Sequence, residues 1–271
     1  MLIFLPSGRK RETLSKIAGP YTSLELMICA ASKLLEDHKS VLVGTGLPVL
    51  SAMLAKRTHA PNLLLVFEAG GIGPQLVSLP ISVGDSATTH ASVMASSMDW
   101  VMSMAQQGYV DYGFLGAAQI DPYGNINTTV VGEYARPRVR LPGSGGANDV
   151  GSLCWRTIVI MNHDKQKFVP KLDFLTTPGY ISGPGIREAK GLPEGTGPYR
   201  VVTQLGVFGF DEETRRMRVI TLHPGVDRDL VAANTGFEIP MGENISNTDL
   251  PTEEELRLLR EEIDPHGLVI R

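Results

Sequence analysis

Short apolar runs alternate along the chain with stretches of helical periodicity. Residues 41–43, 63–67, 112–115 and 157–161 are runs without polar alternation, set off by glycine, proline, asparagine or aspartate. Such runs are the mark of strands covered on both faces of a parallel sheet. Between them, Met27, Ile28, Ala31, Leu34 and Leu35 recur at helical spacing. They follow Thr22-Ser23-Leu24-Glu25, whose spacing is that of a capping box. Gly44-Thr45-Gly46 supplies a turn after the first strand, and Pro48 suits the first turn of a helix reaching about Arg57. The strand at 63–67 then completes a β-α-β unit. Met94, Met98 and Met102 recur every four residues within 86–107, the spacing of one helix face used for core filling or packing. The runs 206–210 and 216–222 flank a polar turn and predict a hairpin. A second capping box, Thr252 to Glu255, opens a helix that reaches about Ile263 and stops before Pro265.

These elements predict an α/β fold: an open, mostly parallel sheet flanked by helices, with a late antiparallel hairpin. Residues 1–21 read as an irregular arm and 22–271 as a single domain, since no repeat or low-complexity linker divides the chain. Apolar residues make up 42% of the chain, enough for a large core. The net charge of −4 and the shortness of runs such as Arg9-Lys10-Arg11 argue against a nucleic-acid partner. Two cysteines make no disulfide framework; Cys29, in a predicted helix, and Cys154, before a predicted strand, are expected as reduced core residues. No segment has the length of a membrane span, and the apolar start lacks the basic region of a signal peptide. A soluble cytoplasmic protein is expected.

Several chemical motifs fail on inspection. Val49 stands where a dinucleotide fingerprint beginning at Gly44 needs its third glycine, no P-loop occurs, and Ser144 lacks the first glycine of a nucleophile elbow. The six histidines show no metal-ligand spacing, so no metal and no permanently bound cofactor is expected; His163, with Asp164 after a predicted strand, is a weak candidate to lie near a site. Glu68 is different. It follows the 63–67 run and opens Glu68-Ala69-Gly70-Gly71-Ile72-Gly73-Pro74, at the strand end where open α/β sheets bind ligands. It is either a nucleophile for acyl transfer or a solvated strand-end glutamate. Glycine-rich segments at 68–74, 116–125 and 143–148 let backbone amides approach a ligand, and Gln119, Asn125, Asn127 and Asn148 add neutral donors. Asp121 to Asn125 is turn-like in composition, which leaves Gln119 unexplained. Arg136, Arg138 and Arg140 read either as surface charge or as a clamp for a substrate carboxylate.

Taken in order, Val43-Gly44-Thr45-Gly46-Leu47-Pro48, Ala55-Lys56-Arg57, Glu68, residues 116–127 and 143–148, Thr177-Pro178-Gly179, Asn234-Thr235-Gly236-Phe237 and residues 259–265 resemble the β subunit of family I CoA-transferases. The resemblance covers nearly all of the chain from Thr22 onward. It implies the same open α/β fold, a separately encoded α subunit as partner in an α2β2 assembly, and a coenzyme A thioester as substrate. It also implies that Glu68 is the nucleophile, forming a glutamyl-CoA thioester while CoA moves from an acyl-CoA to a carboxylic acid, for instance a dicarboxylate such as glutaconate. Gln119, Gly145 and Gly146 would then form the oxyanion hole, and Gly70, Gly71 and Gly73 would line the path of CoA. The neighbours of Glu68 differ from the Glu-Ser-Gly or Ser-Glu-Asn-Gly of other members, which bears on substrate identity more than on chemistry. The alternative within this fold is an acyl-CoA hydrolase or decarboxylase with Glu68 as general base; outside it, a non-catalytic ligand-binding subunit.

Overall fold

A computed structural model describes residues 19–270, so positions 1–18 of the expected arm lie outside the described residues. Helix α1 (Ser23–Ser32) begins at Thr22, whose hydroxyl accepts from the Glu25 amide while the Glu25 carboxylate accepts from the Thr22 amide. Strand β1 (Ser40–Leu42) leads through the glycine turn into α2 (Leu47–Arg57), with Pro48 in its first turn. Strand β2 (Leu64–Val66) then pairs parallel to β1, Val41 opposite Leu65. The chain next turns back on itself as β3 (Gly71–Ile72) and β4 (Met94–Ala95), both antiparallel, before α3 (Met98–Gln106).

Strand β5 (Tyr112–Leu115) returns to the parallel set, followed by the short ladder of β6 (Gln119–Ile120) with β7 (Ile126–Asn127) and the exposed hairpin of β8 (Val130–Glu133) with β9 (Arg136–Arg140). Helix α4 (Ala147–Leu153) precedes β10 (Arg156–Ile160). A one-turn helix, α5 (Ile186–Ala189), stands before β11 (Pro198–Val202), β12 (Gly206–Phe210) and β13 (Met217–Leu222). Helix α6 (Arg228–Asn234), β14 (Ser246–Asn247) and α7 (Glu253–Arg257) complete the chain, α7 running on as a π-helical turn, Leu258–Ile263. The second capping box forms at Thr252 and Glu255.

Among the described residues the main sheet has ten strands in the order β14-β13-β12-β11-β10-β5-β1-β2-β3-β4. Its centre, β11-β10-β5-β1-β2, is parallel, and the late hairpin β12–β13 is antiparallel as expected. The antiparallel return β2-β3-β4 on the other edge has no counterpart among the elements predicted from sequence. The methionine stripe is also corrected. Met94 lies in β4 opposite Ile72, only Met98 and Met102 lie on α3, and the residues α3 buries are Val101 and Ala105.

The reason for continuous apolar runs is visible in β2. Leu63, Leu65 and Phe67 enter the core under α1, α2 and the π-helical turn, whereas Val66, with Leu64 partly covered, enters the core beneath α3, α4 and α6. A strand with both faces covered has no position for a polar residue. Fully burying Phe67 or Leu65 contributes roughly 2 kcal/mol each. Cys29 and Cys154 are buried free thiols, as expected, and burial pushes Cys154 up to about 12. His163 does not join a site. It stacks on Phe168 with ring centroids 3.6 Å apart and meets the Thr235 hydroxyl through Nε2, and burial lowers it to about 4, so it is a neutral core residue. Among the described residues no helix is long and apolar enough to cross a membrane.

Candidate active site

The alternation along β2 decides where Glu68 points. Two residues beyond Val66, the last residue of β2, it shares the face covered by α3 and α4, at the carboxyl edge of the parallel strands. There it meets one residue from each helix region. A Cβ on Gly146 would lie 2.7 Å from Glu68 Oε1 and 2.8 Å from the Met102 methyl, so the carboxylate, the thioether and the glycine converge on one point. Glu68 is half-buried, and its carboxylate has no hydrogen-bond partner or counter-ion among the described residues. The packing fixes its stem and leaves its oxygens uncommitted.

Gly146 is the N-cap of α4, preceded by a loop in which Gly143 (φ 102°) and Gly145 (φ 47°) take left-handed conformations. The next two amides are used internally: Ala147 donates to the Ser144 carbonyl and Asn148 to the Ser144 hydroxyl. Those of Gly145 and Gly146 donate to no group of the described residues. Two free donors therefore sit at the positive end of a short helix, beside a free carboxylate. Unused backbone donors of this kind are suited to hold an oxygen anion.

The remaining sequence candidates are placed elsewhere or otherwise engaged. The Gln119 carboxamide is buried and donates through Nε2 to Asp173 at 2.9 Å, while its oxygen accepts from Asn127 at 2.7 Å. It lines a cavity to which Glu68 does not contribute. Asn125 is spent on the turn: Nδ2 donates to Asp121 and to the Ile181 carbonyl, and Oδ1 accepts from the Gly179 and Ile181 amides. Gly70, Gly71 and Gly73 are glycine for a reason internal to the chain. A Cβ at Gly70 would lie 2.1 Å from the Ser96 carbonyl oxygen, one at Gly71 would lie 1.9 Å from that of Thr88, and one at Gly73 would lie 2.8 Å from the Val93 side chain. The 88–97 segment closes the side on which a side chain would stand.

Two residues of the site region carry no sequence signal strong enough to single them out. Met102 belongs to a stripe whose spacing reads as packing. Arg187 is the other. It is fully buried with no carboxylate partner, and its guanidinium donates to the carbonyls of Gly151, Ser152, Pro178 and Gly179 and to the Thr196 hydroxyl. Gly151 and Ser152 belong to the last turn of α4, so a cation caps the end of the helix opposite Gly146.

The coenzyme A transferase family model matches residues 24–234. One of the subunits of glutaconate CoA-transferase from Acidaminococcus fermentans is 38% identical over 90% of this chain and 93% of its own, and a solved structure of that organism's glutaconate coenzyme A-transferase superposes with a TM-score of 0.88 at 37% identity, covering 93% of this chain and 98% of the other. The corresponding subunit of 3-oxoadipate CoA-transferase from Pseudomonas knackmussii is 39% identical over 89% of this chain and 92% of its own. The IpdB subunit of a cholesterol ring-cleaving hydrolase from Rhodococcus jostii is 33% identical over 82% and 83% of the two chains.

Proposed function

The chain belongs to the coenzyme A transferase family, and from that premise we propose that it is the nucleophile-bearing β-type subunit of a two-subunit CoA-transferase. The observation that carries the reading is the uncommitted Glu68 carboxylate packed against Gly146, beside two unused amides. Glu68 attacks the thioester carbonyl of an acyl-CoA, forming a C–O bond. The tetrahedral oxyanion is held by the Gly145 and Gly146 amides, and the C–S bond breaks to leave an acyl-glutamyl anhydride and CoA thiolate. The thiolate then attacks the glutamyl carbonyl, expels the acyl group as its carboxylate and leaves a glutamyl-CoA thioester. An incoming carboxylate reverses both steps. Splitting the exchange this way keeps the thioester's energy in the enzyme and gives ping-pong kinetics. Gln119 would have to leave Asp173 before it could join the oxyanion hole, so the two glycine amides are the preferred donors. CoA enters as a thioester substrate.

Glutaconate and 3-oxoadipate, named for the two transferase relatives, are both dicarboxylates, and we assign a dicarboxylic acyl group here on that basis. A hydrolase, suggested by the IpdB relative, would use Glu68 as a base toward water; the higher identity to two transferase subunits favours transfer. Val77 (73% exposed), Ile81 (82%), Val93 (80%), Met98 (52%) and Trp100 (45%) all lie on the segment that runs from β3 into the first turn of α3. Apolar surface at this density marks a protein interface. We assign it to an α-type partner subunit, in an α2β2 assembly, which would also shield the anhydride from water.

The test is trapping. The two-subunit enzyme is incubated with a panel of acyl-CoAs, treated with hydroxylamine or borohydride, and digested for mass spectrometry. A mass change confined to the peptide bearing Glu68 is expected; free CoA released stoichiometrically with no such adduct would transfer the assignment to hydrolysis. A companion variant isolates the geometry. Gly146 has φ −79°, which any residue adopts, so Gly146→Ala should cost only about 1 kcal/mol of stability. Its Cβ must nevertheless displace the Glu68 carboxylate, and a shift of ~1 Å is expected to lower kcat about 100-fold. Unchanged kcat in a folded Gly146→Ala enzyme would disprove the pairing of these residues in catalysis.

A further inference from the structure

We infer that Met102 is a positioning residue that keeps water from the Glu68 carbonyl, so that the activated glutamyl group is passed to a carboxylate and not hydrolysed. The inference rests on the transferase reading of Glu68. The chemistry sets the problem. In a glutamyl-CoA thioester the Cδ of Glu68 is an electrophile. Water attacking it forms a C–O bond and breaks the C–S bond. The products are the free Glu68 carboxylate, CoA thiolate and two protons, one of which the thiolate takes up. No further reactant is needed, so such an enzyme transfers only as well as it excludes water.

Met102 stands where that exclusion is required. The point at which a Cβ on Gly146 would fall lies 2.7 Å from Glu68 Oε1, 3.0 Å from Glu68 Cδ and 2.8 Å from the Met102 methyl carbon. The first and last of these distances limit how far apart the oxygen and the methyl can be. A water bridging them in line needs about 2.8 Å to the oxygen and about 3.5 Å to the methyl, which together exceed that limit. On this flank the carboxylate therefore faces a methyl and a glycine backbone, with no room for water between oxygen and methyl. The type of side chain matters as well. A thioether donates no hydrogen bond, so it covers Glu68 without engaging either oxygen.

Packing of the helix does not account for Met102. Helix α3 is anchored by Val101 and Ala105, both buried, and Met104 packs against the same core cluster. Met102 is half-buried and belongs to neither core cluster of the described residues. Its unbranched, adaptable chain is directed at the nucleophile instead. Met98, one turn earlier on the same helix face, is exposed on the surface assigned above to a partner subunit. Met102 thus closes from within the chain a site that the partner would close from outside.

The experiment measures how the intermediate partitions. The two-subunit enzyme, as wild type, Met102→Ala and Met102→Leu, is loaded with an acyl-CoA, freed of excess substrate and followed by mass spectrometry of the peptide bearing Glu68. Rates of CoA transfer to an acceptor acid and of free-thiol release are read in parallel. Alanine is a strong helix former and the anchors Val101 and Ala105 are untouched, so Met102→Ala is expected to fold. Without acceptor its glutamyl adduct should decay about 10-fold faster than that of wild type, and its ratio of hydrolysis to transfer should rise about 10-fold. Met102→Leu keeps the apolar volume and should stay within about twofold of wild type on both measures. A merely structural role would lower both rates together and leave the ratio unmoved. Equal adduct lifetimes in wild type and Met102→Ala, or a ratio raised as much by leucine as by alanine, overturn the assignment of Met102 and leave the transferase reading standing. A wild-type enzyme that turns over acyl-CoA with no adduct at Glu68 overturns both.

Discussion

Replacing Glu68 with glutamine is expected to lower kcat of the two-subunit enzyme by at least about 1,000-fold, with little change in the KM for acyl-CoA. The carboxamide has the shape of the carboxylate, so it fits the same point beside Gly146 and Met102 and leaves the surrounding packing intact. What it lacks is an anionic oxygen able to form the anhydride. Glu68→Asp keeps the charge but withdraws it by one methylene from the Gly145 and Gly146 amides, and a loss of about 100-fold is expected from misplacement alone. Steady-state kinetics on both variants, with trapping of the adduct, make the check. A glutamine variant retaining more than about a tenth of wild-type kcat would remove Glu68 from the chemistry. Loss of activity alone would not separate transferase from hydrolase, since a general base is equally disabled by the amide. Loss of both the trapped adduct and acyl-CoA-to-acid exchange does separate them, because a base forms no adduct.

The parts of this site that are legible in the sequence are those that local physics determines. The 63–67 run could only be a strand covered on both faces, and that placed Glu68 at a strand end. Thr22 with Glu25 and Thr252 with Glu255 announce their helices because each motif satisfies backbone donors within one turn. The partners of Glu68 are another matter. Gly146 reaches it only because α4 is pressed onto β5, where a Cβ on Gly113 would lie 2.4 Å from the Val150 side chain. No spacing in the sequence encodes that approach. The glycines after Glu68 are ambiguous for a related reason: lack of a side chain looks the same whether the chain or a ligand requires it, and the 88–97 segment alone is enough to require it here. Met94, Met98 and Met102 mislead because a four-residue spacing does not reveal that the helix starts only at Met98, with Met94 in a strand. Gln119 is more than its turn-like neighbourhood requires, and the fold supplies the reason: its amide is committed to Asp173 on the floor of the cavity next door.

Arg187 leaves no trace in the sequence pattern, yet its removal is expected to have the largest effect on stability. It stands within the Gly- and Pro-rich stretch 179–198, where no motif singles it out. In the fold it is wholly buried and ties three separate segments together: the end of α4 through Gly151 and Ser152, the 178–179 turn, and Thr196 before β11. No carboxylate neutralises it; backbone carbonyl dipoles do. Arg187→Met keeps much of the volume but strands several buried carbonyls without donors, each costing about 1–3 kcal/mol. With partial relaxation, the net loss should be about 3–5 kcal/mol, a fall in Tm of roughly 10 °C for a chain of this size. Arg187→Lys should fall between, since an ammonium holds the charge but cannot reach all three segments at once. Thermal and denaturant unfolding of the two variants beside Arg140→Ala, on the exposed hairpin, make the comparison; the control should shift stability by less than about 0.5 kcal/mol. A Tm within about 2 °C of wild type, roughly the shift that 1 kcal/mol produces, would mean the buried guanidinium is replaceable. The consequence should extend to activity. The helix that Arg187 caps at one end presents Gly146 to Glu68 at the other, so the folded fraction of Arg187→Met, assayed well below its Tm, should show a reduced kcat alongside its reduced stability.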